Sequence, residues 1–248
     1  MLFRSGCSAP DIYKYGAGIA WMLKDREETQ RMVRGVRAVV PAGKRLSVKL
    51  RLGDDNFTDD GFFSFCDMLV GEGVELLTLH PRTKKEKLVR PPRYEYCQKL
   101  AERYSHAGGG GAAIPVYLNG NVKDKASFDN AVARCPDVAG VMISRAAVQK
   151  PWIFRELDGG VALRQAQGPQ TIDMLNLALD YIKNIQLYQP QEFWKTRLQR
   201  FFTYYAQNFK FAHYAQTQFI NAHNIPDLEQ RLNDFFEKCP EERIKSIL

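Results

Sequence analysis

The chain has 248 residues, 45% apolar and 12% aromatic, which is enough to bury one large or two modest cores and excludes a largely disordered chain. No stretch approaches the roughly 18 consecutive apolar residues of a membrane helix, no signal-peptide apolar segment opens the chain, and five scattered cysteines without metal spacing argue against a disulfide framework or structural zinc. With 35 Lys and Arg against 28 Asp and Glu, the formal charge of +7 favours a polyanionic partner, and a cytoplasmic setting is the default.

In chain order, Met32, Val33, Val36 and Val39 recur at helical spacing within Asp25 to Val39, and Pro41 with Gly43 ends that helix. Leu46 to Leu52 alternates apolar and polar residues and stops at Gly53-Asp54-Asp55, which predicts a strand with a loop at its C-terminal end. A helix over Asp60 to Glu72 follows, then a strand over Val74 to His80 and a helix near Arg93 to Tyr104. Beyond the Gly108 to Gly111 run come a strand at Pro115 to Leu118, the loop Asn119-Gly120-Asn121, a helix around Lys125 to Arg134 and a strand at Val138 to Ile143. Such alternation predicts parallel β/α units, with polar residues placed just after each strand. A (β/α)8 barrel and an open doubly wound sheet both fit, and the barrel is preferred because no GxGxxG follows a first strand.

Residues 159–171 read as a linker between a barrel-type region at 1–158 and a helical region at 172–248. The tail shows only helical patterning, with Leu175, Leu179 and Ile182 on one stripe and Trp194, Leu198, Phe201 and Phe202 on another, so a small all-α bundle is expected.

The segments Gly6-Cys7-Ser8-Ala9-Pro10 and Lys14 to Ala20 resemble the active-site loop of tRNA-dihydrouridine synthases of the bacterial type. Val48 to Gly53, Leu77 to Thr83, Val116 to Val122, Gly140 to Ala146 and Pro151 to Phe154 match further family motifs in order, and five in register are specific where one is not. The resemblance implies the C-terminal half of a (β/α)8 TIM barrel followed by a helical tRNA-binding domain. It also implies FMN as cofactor, NADPH or NADH as reductant, tRNA as partner, and neither a membrane nor a metal.

By that resemblance Cys7 donates a proton to uracil C5 while hydride reaches C6 from the flavin. An ordinary cysteine thiol, with a pKa of about 8.5, is mostly protonated at neutral pH and can act as an acid. Cys66, Cys97, Cys135 and Cys239 lie in or near helical patterns and read as small apolar residues. Lys49 matches the lysine that contacts the flavin ring, and a positive charge there would stabilise the reduced anion. His80 is implied to donate to the flavin or its phosphate. Asn119, Gly120, Asn121, Ser144 and Arg145 resemble the phosphate loops, although the family has an acidic residue at position 121 and a glycine at 144.

RNA contacts are expected from the basic run that begins at Arg82 and includes Lys84, Lys85, Lys87 and Arg90, and from Lys195, Arg197 and Arg200 in the tail. Arg51 shares a strand face with Lys49 and could meet either RNA or a carboxylate. The aromatic stripe around Phe201 is expected to be core. Residues 1 to 4 do not resemble the family's strand before Gly-Cys, so the early barrel is expected to be missing, supplied by a second chain or by an absent N-terminal segment. Two alternatives stay open: a catalytically inactive remnant that at most binds RNA, and a flavin-dependent barrel oxidoreductase for a small molecule.

Overall fold

A computed structural model describes residues 2–54, 56–105, 113–157 and 171–247. The chain divides into two compact units, Met1–Val122 with Ala126–Ile143, and Lys123–Lys125 with Ser144–Leu248. The Gly108 to Gly111 run and all of the expected linker except Thr171 lie outside the described residues.

The first unit runs β1 (Leu2–Arg4), α1 (Pro10–Tyr13), a 3-10 segment (Gly18–Leu23), α2 (Arg26–Val39), β2 (Ser47–Gly53), α3 (Asp59–Gly71), β3 (Leu76–Thr83), α4 (Tyr94–Ser105), β4 (Val116–Asn119), α5 (Lys125–Arg134) and β5 (Gly140–Met142). The strands form one five-stranded sheet in the order β1-β2-β3-β4-β5, each pair parallel. Parallel neighbours require crossovers, and helical segments fill them. This α/β architecture agrees with the strand and helix alternation read from the sequence.

Register decides what each face of the sheet carries. Val48, Leu77 and Val116 lie in one row and Leu50, Leu79 and Leu118 in the next, all buried. Alternation puts Lys49, Arg51, Thr78, His80, Tyr117 and Asn119 on the opposite face. Helix α4 packs against β3 and β4, burying Cys97, Leu100 and Ala101. Each buried leucine or valine of these rows contributes about 1.5–3 kcal/mol when removed from water. Asp25 and Thr58 cap α2 and α3 by accepting from Glu28 N and Gly61 N, which fixes where those helices begin.

Leu2–Arg4 is a strand, paired in parallel with Ser47 to Lys49. Phe3 lies 4.9 Å from the Trp21 ring, a contact between centroids that holds the edge strand from the helical side.

The second unit contains α6 (Arg145–Gln149), α7 (Ile153–Leu157), β6 (Thr171–Asp173), α8 (Met174–Tyr188), α9 (Gln191–Tyr205), α10 (Ala212–Ile220), α11 (Ile225–Lys238) and β7 (Ile244–Ser246). Its core is aromatic: Phe201, Phe202, Tyr205, Phe209, Phe219, Phe235 and Phe236 are buried together. The Phe201 stripe is therefore core, as expected. Trp152 joins the same cluster, and Asn208 Nδ2 donates to Gln149 O at 2.7 Å, so the compact units divide before α6 rather than near residue 158.

The tail is not wholly helical, since β6 and β7 pair antiparallel across Thr171–Ser246. Asp173 both caps α8, accepting from Asn176 N, and pairs with Arg243 at 2.9 Å, which ties the start of α8 to the residue before β7. Among the described residues, no helix is long and apolar enough to cross a membrane.

Candidate active site

The polar residues at the C-terminal ends of β2, β3 and β4 converge. Lys49 Nζ donates to Asn119 Oδ1 at 2.7 Å, and Asn119 Nδ2 donates to Met142 O at 2.7 Å, so one amide links β2, β4 and β5. Burial, then the charges of Arg4 and Arg51, lower the Lys49 pKa to about 8. Lys49 is thus a cation held among cations.

Arg51 is half-buried on the same face, as its alternation with Lys49 predicts, and donates to Thr83 O at 3.5 Å. Burial pushes its guanidinium below the ordinary range, and the nearby Cys7 sulfur opposes that shift. Cys7 itself is exposed, while Cys66, Cys97 and Cys135 are buried. The cysteine with solvent access at the strand ends is the one that the sequence singles out.

His80 and Arg82 interlock, with Arg82 Nη1 2.8 Å from His80 Nε2. A guanidinium has only donors, so Nε2 accepts and the ring proton lies on Nδ1. His80 can therefore donate only through Nδ1. Arg82 also donates to Arg90 O at 2.6 Å and to Asn121 Oδ1 at 3.0 Å. Its side chain is fully buried, which corrects its expected place among surface RNA contacts. A register shift between β2 and β3, after the Arg51–His80 pair, accompanies this inward placement.

The Asn119-Gly120-Asn121 turn closes over this pair. Gly120 adopts φ +138°, and a Cβ there would lie 2.8 Å from His80 Cδ2, so glycine is required by both backbone and neighbour. Asn121 adopts φ +57°, a region that asparagine tolerates better than most residues. Tyr94 Oη donates to Gly120 O at 2.8 Å from below.

The basic segment after β3 is an ordered loop. Glu86 accepts from Thr83 N and from Arg93 Nε, both at 2.7 Å, and Arg93 N donates to Pro81 O at 2.9 Å. Lys85, Lys87 and Arg90 project from it into solvent. Lys84 instead turns inward, 3.6 Å from Asp54 and 3.2 Å above the Tyr13 ring.

Ser144 and Arg145 are exposed at the start of the second unit, where Ser144 makes no side-chain cap to α6. Lys195, Arg197 and Arg200 are exposed on α9, outside the aromatic core. Among the described residues, no group of His, Cys, Asp and Glu could hold a metal ion.

Sequence reasoning missed Arg4, Tyr13, Asp54, Thr78 and Tyr94. Thr78 was within reach, since strand alternation alone places it between Lys49 and Tyr117. The others depend on loop closure.

The model of the dihydrouridine synthase (Dus) family matches residues 4–237. The chain belongs to the dihydrouridine synthase family. It is 30% identical over 185 residues to the tRNA-dihydrouridine(16) synthase of Ralstonia nicotianae, covering 73% of this chain and 52% of that protein. It is 32% identical over 157 residues to the tRNA-dihydrouridine(47) synthase [NAD(P)(+)]-like protein of Mus musculus, covering 61% of this chain and 22% of the mouse protein. A tRNA-dihydrouridine(20/20a) synthase of Xanthomonas campestris is 29% identical over 147 residues, 56% of this chain and 40% of that one. The chain thus spans about half the length of its Ralstonia relative and about a fifth of the mouse one. This dihydrouridine synthase family member places Cys7 in the loop after β1 and Lys49, His80 and Asn119 on the adjacent strands β2, β3 and β4 of one unit.

Proposed function

We propose that this chain takes part in the FMN-dependent reduction of uridine to 5,6-dihydrouridine in tRNA, with NADPH or NADH as reductant. The observation that carries the reading is the convergence of Lys49, His80, Asn119 and the Gly120 turn on one polar sheet face, beside a loop that exposes Cys7. Relatives whose names specify tRNA-dihydrouridine synthesis support the substrate class.

The donor set fits FMN. Lys49 and Arg51 offer cations, His80 lies on the same face, and Thr78 Oγ1 is buried there with no hydrogen-bond partner among the described residues. When bound, FMN supplies the hydride for uracil C6. Lys49 would hold negative charge near the ring, and its bond to Asn119 fixes its direction. Cys7 would then deliver its thiol proton to C5, and solvent access lets it regain one. Lys85, Lys87 and Arg90 are the proposed phosphate contacts of the ordered loop, and Lys195, Arg197 and Arg200 those of the helical unit, read as the tRNA-binding bundle. The parallel sheet is read as half of a (β/α)8 barrel, its polar face being the lumen.

The test begins with the purified 248-residue chain, mixed with FMN, freed of unbound cofactor and scanned through the flavin bands near about 370 and 450 nm. Retained flavin, reduced by Lys49→Met, supports the site; a colourless wild-type chain overturns it. In a flavin-loaded preparation that reduces tRNA, Cys7→Ala should keep the flavin bands and abolish dihydrouridine formation.

A further inference from the structure

The loop between β1 and the 3-10 segment carries Cys7, and at its base the backbone ties it to the 3-10 segment. Ile19 N donates to Cys7 O at 2.8 Å, and Gly18, at φ +63°, leaves room for that carbonyl where a Cβ would approach to 2.3 Å. The outward end is different. Helix α1 has four residues, none buried, and no side-chain N-cap, so its own turn cannot hold the loop in place.

Tyr13, the last residue of α1, reaches across to the ends of two other strands. Its hydroxyl donates to Asp54 Oδ2, beyond β2, and Lys84 Nζ lies 3.2 Å above its ring from beyond β3. The Asp54 side chain is only 7% exposed, and Lys84 Nζ approaches it to 3.6 Å. Lys84 N donates to Gly53 O at 2.9 Å, so the lysine is anchored by its backbone as well. A buried carboxylate needs such partners, and an ammonium over a phenol ring is attracted by the ring's negative face.

We propose that Tyr13, Asp54 and Lys84 form a latch that positions the Cys7 loop, which makes Lys84 a positioning residue and not an RNA contact. The latch rests on the proposed function only in so far as Cys7 is the acid; the fastening itself is a property of the folded chain. Its geometry joins α1 to the ends of β2 and β3 at one point, so releasing any member frees the loop's outer half.

Hydrogen exchange of the full chain, read by mass spectrometry on peptides spanning residues 7–19, tests the latch without flavin or tRNA. Tyr13→Phe and Lys84→Met should each speed exchange at Tyr13 and Gly16 about tenfold, with Ile19 at the fastened base and α4 and α11 unchanged as controls. Lys84→Arg keeps the cation over the ring and should restore protection. Unchanged exchange in Tyr13→Phe overturns the latch, as does loss of protection in Lys84→Arg equal to that in Lys84→Met. Where tRNA reduction is measurable, Lys84→Met should lower kcat and leave KM for tRNA unchanged; a raised KM at unchanged kcat would return Lys84 to RNA binding and overturn the assignment. A chain without flavin affinity would sink the proposed function and leave the exchange result standing.

Discussion

Lys49 carries its ammonium into a face already occupied by Arg4 and Arg51, and burial with those charges lowers its pKa from 10.5 to about 8. Between those values the unfolded chain binds more protons at this lysine than the folded chain, so its contribution to stability rises with pH across about 8 to 10.5. Below about 8 both forms are protonated and the folded state carries the whole penalty. Lys49→Met deletes this titration. Chemical unfolding of both proteins in steps through the window should show the difference in stability moving toward wild type as pH rises, and a constant difference would mean Lys49 titrates as an exposed lysine. Gly120 allows a second measurement of the same region. Gly120→Ala combines φ +138° with a 2.8 Å approach to His80, whereas Gly43→Ala has φ +77° and nothing within 4 Å. The first should cost about 1–3 kcal/mol and the second less, and equal losses in denaturant melts would mean the His80 contact relaxes freely.

Caps and register act on whole elements. Asp25 and Asn224 accept from Glu28 N and Asp227 N at the starts of α2 and α11. Replacing either by alanine should cost about 1 kcal/mol in thermal or urea unfolding, because one orphan N–H loses its acceptor. A loss near zero would show that water serves as well. The elements readable in the sequence either show a period, as Ser47–Gly53 over seven residues and Arg26–Val39 over fourteen, or are short apolar runs between turn and helix signals, as Val116–Asn119 and Gly140–Met142. Leu2–Arg4, Thr171–Asp173 and Ile244–Ser246 have three residues each and no helix–turn–strand alternation around them to mark them, so partner strands rather than propensity define them. The same limit governs the site. Lys49 and Asn119 stand on regular strands and were legible, whereas Arg82 follows a register shift and Tyr13 ends a four-residue helix, where the direction of a side chain is set by tertiary contacts.

At the scale of the molecule, the charge of +7 is less informative than which cations face water. In the first unit Arg82 is buried on His80 and Asn121 and the partly exposed Lys84 is engaged by Asp54 and Tyr13, while Lys85, Lys87 and Arg90 remain exposed. In the second, Lys195, Arg197 and Arg200 are exposed on a helix whose other side is aromatic core. If the chain binds tRNA as proposed, each phosphate neutralised releases counterions, and the plot of log affinity against log salt should lose about 0.7–0.9 of slope per cation removed. The variant with Lys85, Lys87 and Arg90 all changed to alanine should therefore flatten that plot by about 2–3, and the α9 triple variant by a similar amount if that face also meets the backbone. Lys84→Met should leave the slope within about 0.3 of wild type, because its ammonium is engaged by Tyr13 and Asp54. A full unit of slope lost with Lys84 alone, and none with the loop triple, would mean that the inward and outward cations of this loop exchange places when RNA arrives.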